Sequence, residues 1–157
     1  EDQVAKKLQR MAYEIAEQNV GEEKLILAGI KENGVVIAEK LRQLLHDIFP
    51  GEIAVMEIEV DDKRFPKKIT LSQAMNFDRA VIIVVDDVAN SGKTMLYALQ
   101  PFLKSQPKKI QTLALVDRTH KTFPVHTYYI GFALATTLQE HIFVEVSGEI
   151  ITGAWLE

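Results

Sequence analysis

The chain has 157 residues, 47% of them hydrophobic, which suits one domain with a single packed core. It contains no cysteine, which excludes disulfides, thiolate metal sites and thiol nucleophiles. Its net charge of −4 argues against a nucleic-acid footprint over the whole surface, and no apolar run approaches the roughly 20 residues that a membrane span needs. Residues 4–18 place Val4, Leu8, Met11, Ala12, Ile15 and Ala16 at helical spacing. Residues 24–30 (KLILAGI) predict a buried strand. Residues 34–49 predict a helix with Val35, Ile37, Ala38, Leu41, Leu44, Leu45 and Ile48 apolar, stopped by Pro50 and Gly51. Residues 53–60 alternate as a half-buried strand, and residues 63–78 are basic and irregular around Pro66. Residues 81–85 (VIIVV) predict a strand buried on both faces, with Asp86 and Asp87 where it leaves the core. A helix over 95–103 and a strand over 109–116 follow, and the tail from 128 to 155 mixes short β-like runs with turns. This alternation predicts an α/β fold, a central mainly parallel sheet flanked by helices, in one domain over residues 1–157. The N-terminus is polar and helix-like with no signal peptide, so a cytoplasmic protein is expected.

The most informative stretch is 81–94, VIIVVDDVANSGKT. A strand, a short loop and a helix start make a ready anion site, because free backbone N–H groups converge there. Two carboxylates beside an anion site call for a ligand that carries phosphate together with hydroxyls or a metal. A sugar phosphate meets that description. The segment is not a Walker A loop: Gly92, Lys93 and Thr94 fit its tail, but Asp87 stands where the first glycine belongs and would repel a triphosphate. A plain turn capped by Asn90 or Ser91 would not call for two aspartates at the end of a buried strand.

The hydrophobic strand, acidic pair and Ser-Gly-Lys-Thr turn resemble the signature of the type I phosphoribosyltransferases. The resemblance implies that fold, with a small C-terminal hood from about residue 118 to 157. It also implies that Asp86 and Asp87 contact the ribose 2′- and 3′-hydroxyls of 5-phosphoribosyl pyrophosphate (PRPP). Asn90, Ser91, Gly92, Lys93 and Thr94 would hold the 5′-phosphate. The loop after the first strand, with Gly29, Ile30 and Lys31, would grip pyrophosphate, Gly29 and Gly34 allowing close backbone approach. After the second strand, Lys63 or Arg64 is placed to reach departing pyrophosphate, although solvated loop charge explains them equally well. Mg²⁺ is expected on the pyrophosphate and ribose hydroxyls, reaching Asp86 through water. Asp86, Asp87, Lys31 and Arg64 are the expected catalytic residues.

Residues 115–137, together with Met11–Ile15, the Gly29-Ile30-Lys31 loop and Trp155-Leu156, resemble the PyrR proteins, pyrimidine-operon attenuators that also have uracil phosphoribosyltransferase activity. The run Ile130-Gly131-Phe132-Ala133-Leu134 is shared with hypoxanthine-guanine enzymes. Both groups read the base with the hood, which makes Tyr128, Tyr129 and Ile130 candidates, unless the tyrosines only pack the sheet. Asn90 and Ala135 match neither base preference, so uracil and a 6-oxopurine both stay open. His46, His120, His126 and His141 show no metal-ligand spacing. Arg118, His120 and Lys121 form the stretch for RNA contact in PyrR proteins. Three functions follow: a nucleobase phosphoribosyltransferase, a PyrR-like nucleotide-sensing RNA-binding regulator with little or no catalysis, and the disfavoured P-loop phosphotransferase. Relatives form dimers or tetramers, so a homo-oligomer is expected.

Overall fold

The computed structural model describes residues 2–62, 64–66, 68–135, 142–147 and 150–156. Lys63 and His141 lie outside the described residues. Helix α1 (Asp2–Gln18) buries Val4, Leu8, Met11, Ala12 and Ile15, the stripe expected from their spacing. Strand β1 (Lys24–Ile30) is buried from Leu25 onward. Helix α2 (Asn33–His46) buries Gly34, Ile37, Ala38, Leu41 and Leu45. Strand β2 (Glu52–Val60) pairs in parallel with β1. The stretch expected to be irregular contains a short strand, β3 (Ile69–Leu71), antiparallel to β2. Three residues are too few to carry a readable period, so only the pairing reveals it.

Strand β4 (Val81–Ala89) is longer than its apolar run. Asp86 pairs with Ala114 and Ala89 with Asp117, so both aspartates lie within the strand rather than beyond it. Ladder hydrogen bonds use the backbone alone, and the pairing with β5 (Lys109–Arg118) continues whatever side chains it carries. The helix expected over 95–103 is cut to α3 (Lys93–Ala98), followed by a 3₁₀ turn at Gln100–Phe102. Pro101 has no amide to continue the α-helical ladder.

Strand β6 (Tyr129–Leu134) joins β5 in parallel at the sheet edge. Part of the stretch after residue 118, expected to be hood, thus belongs to the main sheet. The separate piece is the antiparallel hairpin of β7 (Ile142–Ser147) and β8 (Ile150–Leu156). The main sheet runs β3-β2-β1-β4-β5-β6. Val81, Ile83 and Val85 join the core layer beneath α1 and α2, while Ile82 and Val84 join the layer that holds Phe77, Met95 and Phe102. Burial on both faces explains the unbroken apolar run, each fully buried side chain contributing about 1.5–3 kcal/mol.

Candidate active site

Strand order reverses between β1 and β4, and in an open α/β sheet ligands bind beyond the carboxyl ends of the strands at such a point. There the structure has a cleft of about 340 Å³ lined by Lys31, Glu32, Asn33, Glu59, Val60 and Asp87. The chain turns out of β1 through a cis Lys31–Glu32 peptide, and the Lys31 N–H donates to the Ile58 carbonyl at 2.9 Å. Lys31 Nζ lies 4.0 Å from Glu57 and 3.7 Å from Glu59, with its side chain 45% exposed. Ile30 is wholly buried, so only its backbone can face a ligand. The start of α2 lies against β4. A Cβ on Gly34 would stand 2.5 Å from the Val85 carbonyl oxygen, and one on Gly29 would stand 2.6 Å from the Gly34 carbonyl. Both neighbours are backbone and cannot step aside. Gly34→Ala is thus expected to cost roughly 1–3 kcal/mol, read as a lower Tm, because the clash pushes α2 off β4.

Neighbouring strand residues face opposite sides of a sheet, so Asp86 and Asp87 diverge. Asp86 is 4% exposed, and its Oδ1 accepts the Asp87 N–H at 2.8 Å. Asp87 is half-buried on the cleft wall. Its Oδ1 accepts the Val88 N–H at 2.8 Å and its Oδ2 accepts from Asn33 Nδ2 at 2.9 Å. The sequence reading passed over Asn33, because an asparagine before a glycine at a helix start reads as turn chemistry. Only the placement of β1 beside β4 brings it to Asp87.

After β4, Gly92 takes a left-handed φ of 85°, which turns the chain into α3. The Ser91 carbonyl accepts the N–H groups of Thr122 and Phe123 at 3.1 and 3.0 Å, and Ser91 Oγ accepts the Lys93 N–H at 3.2 Å. The 90–94 turn is thus braced from outside, while the first-turn amides of α3 lack intrahelical acceptors. With six residues α3 adds little dipole, so any anion affinity of the turn would come from the amides themselves. The Lys93 side chain turns away from this cup: Nζ donates to the Arg64 carbonyl and sits 5.3 Å from the Phe65 ring centre. Arg64 is brought beside the turn by its backbone, with its side chain exposed.

The base candidates need correction. Tyr129 is 1% exposed, and its hydroxyl donates to Gln111 Oε1 at 2.7 Å and accepts from Asn19 Nδ2 at 3.3 Å. Burial, above all, pushes the Tyr129 phenol well above its ordinary pKa. The Tyr128 hydroxyl donates to Gln18 Oε1 at 3.1 Å. Both hydroxyls reach the C-terminal end of α1, on the side where the strands begin, so neither ring faces the acidic pair. Ile130 offers its carbonyl to Arg10 at 2.8 Å. These residues pack the sheet edge, and residues 136–141, part of the expected hood, lie outside the described residues. The basic stretch also changes: Lys121 Nζ is spent on buried Asp117 at 2.7 Å and on the Arg118 carbonyl at 3.2 Å, leaving His120 exposed.

Among the described residues no three His, Cys, Asp or Glu side chains cluster as a metal site. Mg²⁺ nonetheless fits these residues, since it commonly keeps waters and binds one or two carboxylates together with substrate phosphates. Residues 1–147 match the phosphoribosyl transferase domain. The chain is 32% identical over 151 residues to the bifunctional protein PyrR of Fusobacterium nucleatum, covering 90% of this chain and 85% of that one. It is 31% identical over 150 residues to the PyrR of Clostridium acetobutylicum, covering 90% and 84%. Its fold is similar to a hypoxanthine phosphoribosyltransferase of Trypanosoma cruzi, with a TM-score of 0.77 at 14% identity over 90% of this chain and 80% of that one. A hypoxanthine-guanine phosphoribosyltransferase of Bacillus anthracis gives 0.72 at 21% identity over 90% and 80%. The strand order, the acidic pair at its reversal and these matches agree: the chain belongs to the phosphoribosyltransferase family.

Proposed function

We propose that this protein transfers a 5-phosphoribosyl group from PRPP to a nitrogen of a nucleobase and releases pyrophosphate. The observation that carries the reading is the meeting of Asp87 and Lys31 on one cleft at the strand-order reversal, with Asp86 and the 90–94 turn leading out of the same strand. Asp87, on the cleft wall, binds the ribose diol, and Asp86, on the opposite face of the strand, holds the Asp87 amide and adds its negative charge. The amides and hydroxyls of Asn90, Ser91, Gly92 and Thr94 seat the 5′-phosphate, and the backbone at Gly29 and Ile30 approaches the pyrophosphate. Lys31 leaves its exposed glutamate partners for pyrophosphate at little cost, since such pairs are worth about 0–1 kcal/mol. Arg64 is the second cation for the leaving group.

As pyrophosphate departs, positive charge develops on the sugar ring, and the two aspartates stabilise it from fixed positions. Asp86 acts from a site largely shut off from water, where its field is less screened. Holding sugar and base together supplies the rest of the rate. Asp86 would help to hold Mg²⁺ beside the substrate, where the ion would supply charge neutralisation of pyrophosphate. That chemistry suits a cleft whose walls carry Glu32, Glu59 and Asp87 against Lys31.

The base is uracil or a 6-oxopurine. The test is a panel of uracil, hypoxanthine, guanine, xanthine and adenine with PRPP and Mg²⁺, read by pyrophosphate release. Turnover of at least one of the first four is expected. ATP hydrolysis with no use of PRPP would replace this reading with a phosphotransferase. A PyrR-like RNA-binding regulator with little catalysis is the second reading, compatible with the identity to PyrR proteins. Salt-dependent binding of an RNA hairpin, measured beside turnover, separates the two. A homo-oligomer, dimer or tetramer, belongs to the same proposal.

A further inference from the structure

We propose that Asn33 is a positioning residue that holds the Asp87 carboxylate and couples it to the β7–β8 hairpin; this rests on the phosphoribosyl reading of the cleft. The two protons of one amide nitrogen serve two partners. Asn33 Nδ2 donates to Asp87 Oδ2 at 2.9 Å and to the Val144 carbonyl of β7 at 3.3 Å. With Oδ1 taken by the Val88 N–H at 2.8 Å, each Asp87 oxygen has one internal donor. A carboxylate accepts about four hydrogen bonds, so lone pairs remain for sugar hydroxyls on a group whose rotation these two bonds restrain.

Asn33 itself is well held. It opens α2, next to Gly34, whose backbone touches the Val85 carbonyl so closely that a Cβ would stand 2.5 Å away. Its other partner has more freedom. Among the described residues the β7–β8 hairpin is a two-stranded sheet with no ladder to the main sheet, and such hairpins are marginal alone. Ile151 enters the core, with Val144 and Val146 packed against it, but apolar packing has little directionality. The Asn33 hydrogen bond adds a fixed direction at β7. A ligand that draws Asp87 into one orientation therefore favours one hairpin position, and the hairpin favours the ligand equally.

Asn33→Leu keeps the side-chain size and removes both hydrogen bonds; Asn33→Gln restores a donor. The measurements are steady-state kinetics with PRPP and amide hydrogen exchange of β7 with and without ribose 5-phosphate. Asn33→Leu is expected to raise KM for PRPP about tenfold with kcat within about twofold, the loss of one hydrogen bond to a charged group. It should also abolish the ligand-dependent protection of β7, and Asn33→Gln should recover part of both. Wild-type KM in Asn33→Leu, or protection of β7 that survives it, overturns the proposal. A wild-type protein that binds ribose 5-phosphate yet serves no base overturns the transferase reading instead, and the exchange measurement then decides the role of Asn33 alone.

Discussion

Asp87→Asn is expected to leave the fold intact and to lower kcat/KM for PRPP by roughly 10²–10³, the size seen when one fixed electrostatic contact to a developing charge is removed. Asparagine has nearly the same shape but keeps one acceptor for two donors, Asn33 Nδ2 on Oδ2 at 2.9 Å and the Val88 N–H on Oδ1 at 2.8 Å, so one of these partly exposed bonds goes with the charge. What disappears above all is the negative charge on the cleft wall. Asp87 is half-buried at the cleft wall, so no core packing is disturbed, and Tm should move by no more than about 2 °C. Pyrophosphate release under saturating base, set beside a thermal melt, checks both halves. A variant with wild-type turnover would remove Asp87 from the mechanism.

The framework was legible because its signals are strong and local. A run buried on both faces has to be apolar throughout, and Val81 to Val85 is; an amphipathic helix shows its 3.6-residue period, and α1 does. The acidic pair stood out for a different reason: carboxylates directly after such a run are costly unless they are hydrogen-bonded, paired or turned to a ligand. Features that depend on pairing were not legible. β3 has three residues and no period of its own, and β4 runs on through Asp86 and Asp87 because its neighbour β5 does. Tyr128 and Tyr129 misled because an aromatic pair at a strand start looks the same whether it stacks on a base or packs on a helix end. The partner that decides, Asn19, is 110 residues away from Tyr129 in sequence. Asn33 was missed for the same reason, its link to Asp87 spanning 54 residues.

The second large effect is on stability, at the shelf beneath the 90–94 turn. Asp117 and Lys121 form an ion pair at 2.7 Å with side chains only 6% and 12% exposed, and Thr127 Oγ1 donates to the same carboxylate oxygen at 2.7 Å. Lys121→Met removes the cation and strands a buried charge that Thr127 alone cannot balance. The expected cost is about 3–5 kcal/mol, roughly 10 °C in Tm for a domain of this size. Removing both charges together, as Asp117→Leu with Lys121→Met, should recover most of that loss, since no unpaired charge then remains in the interior. The same pair fixes the segment whose Thr122 and Phe123 amides hold the Ser91 carbonyl, so Lys121→Met should also weaken ribose 5-phosphate binding several-fold. The double variant separates the two consequences: stability returns with the charge balance, while phosphate affinity returns only as far as the shelf keeps its place without the ion pair. A single variant that melts within about 1 kcal/mol of wild type would mean that the pair is solvated and braces nothing.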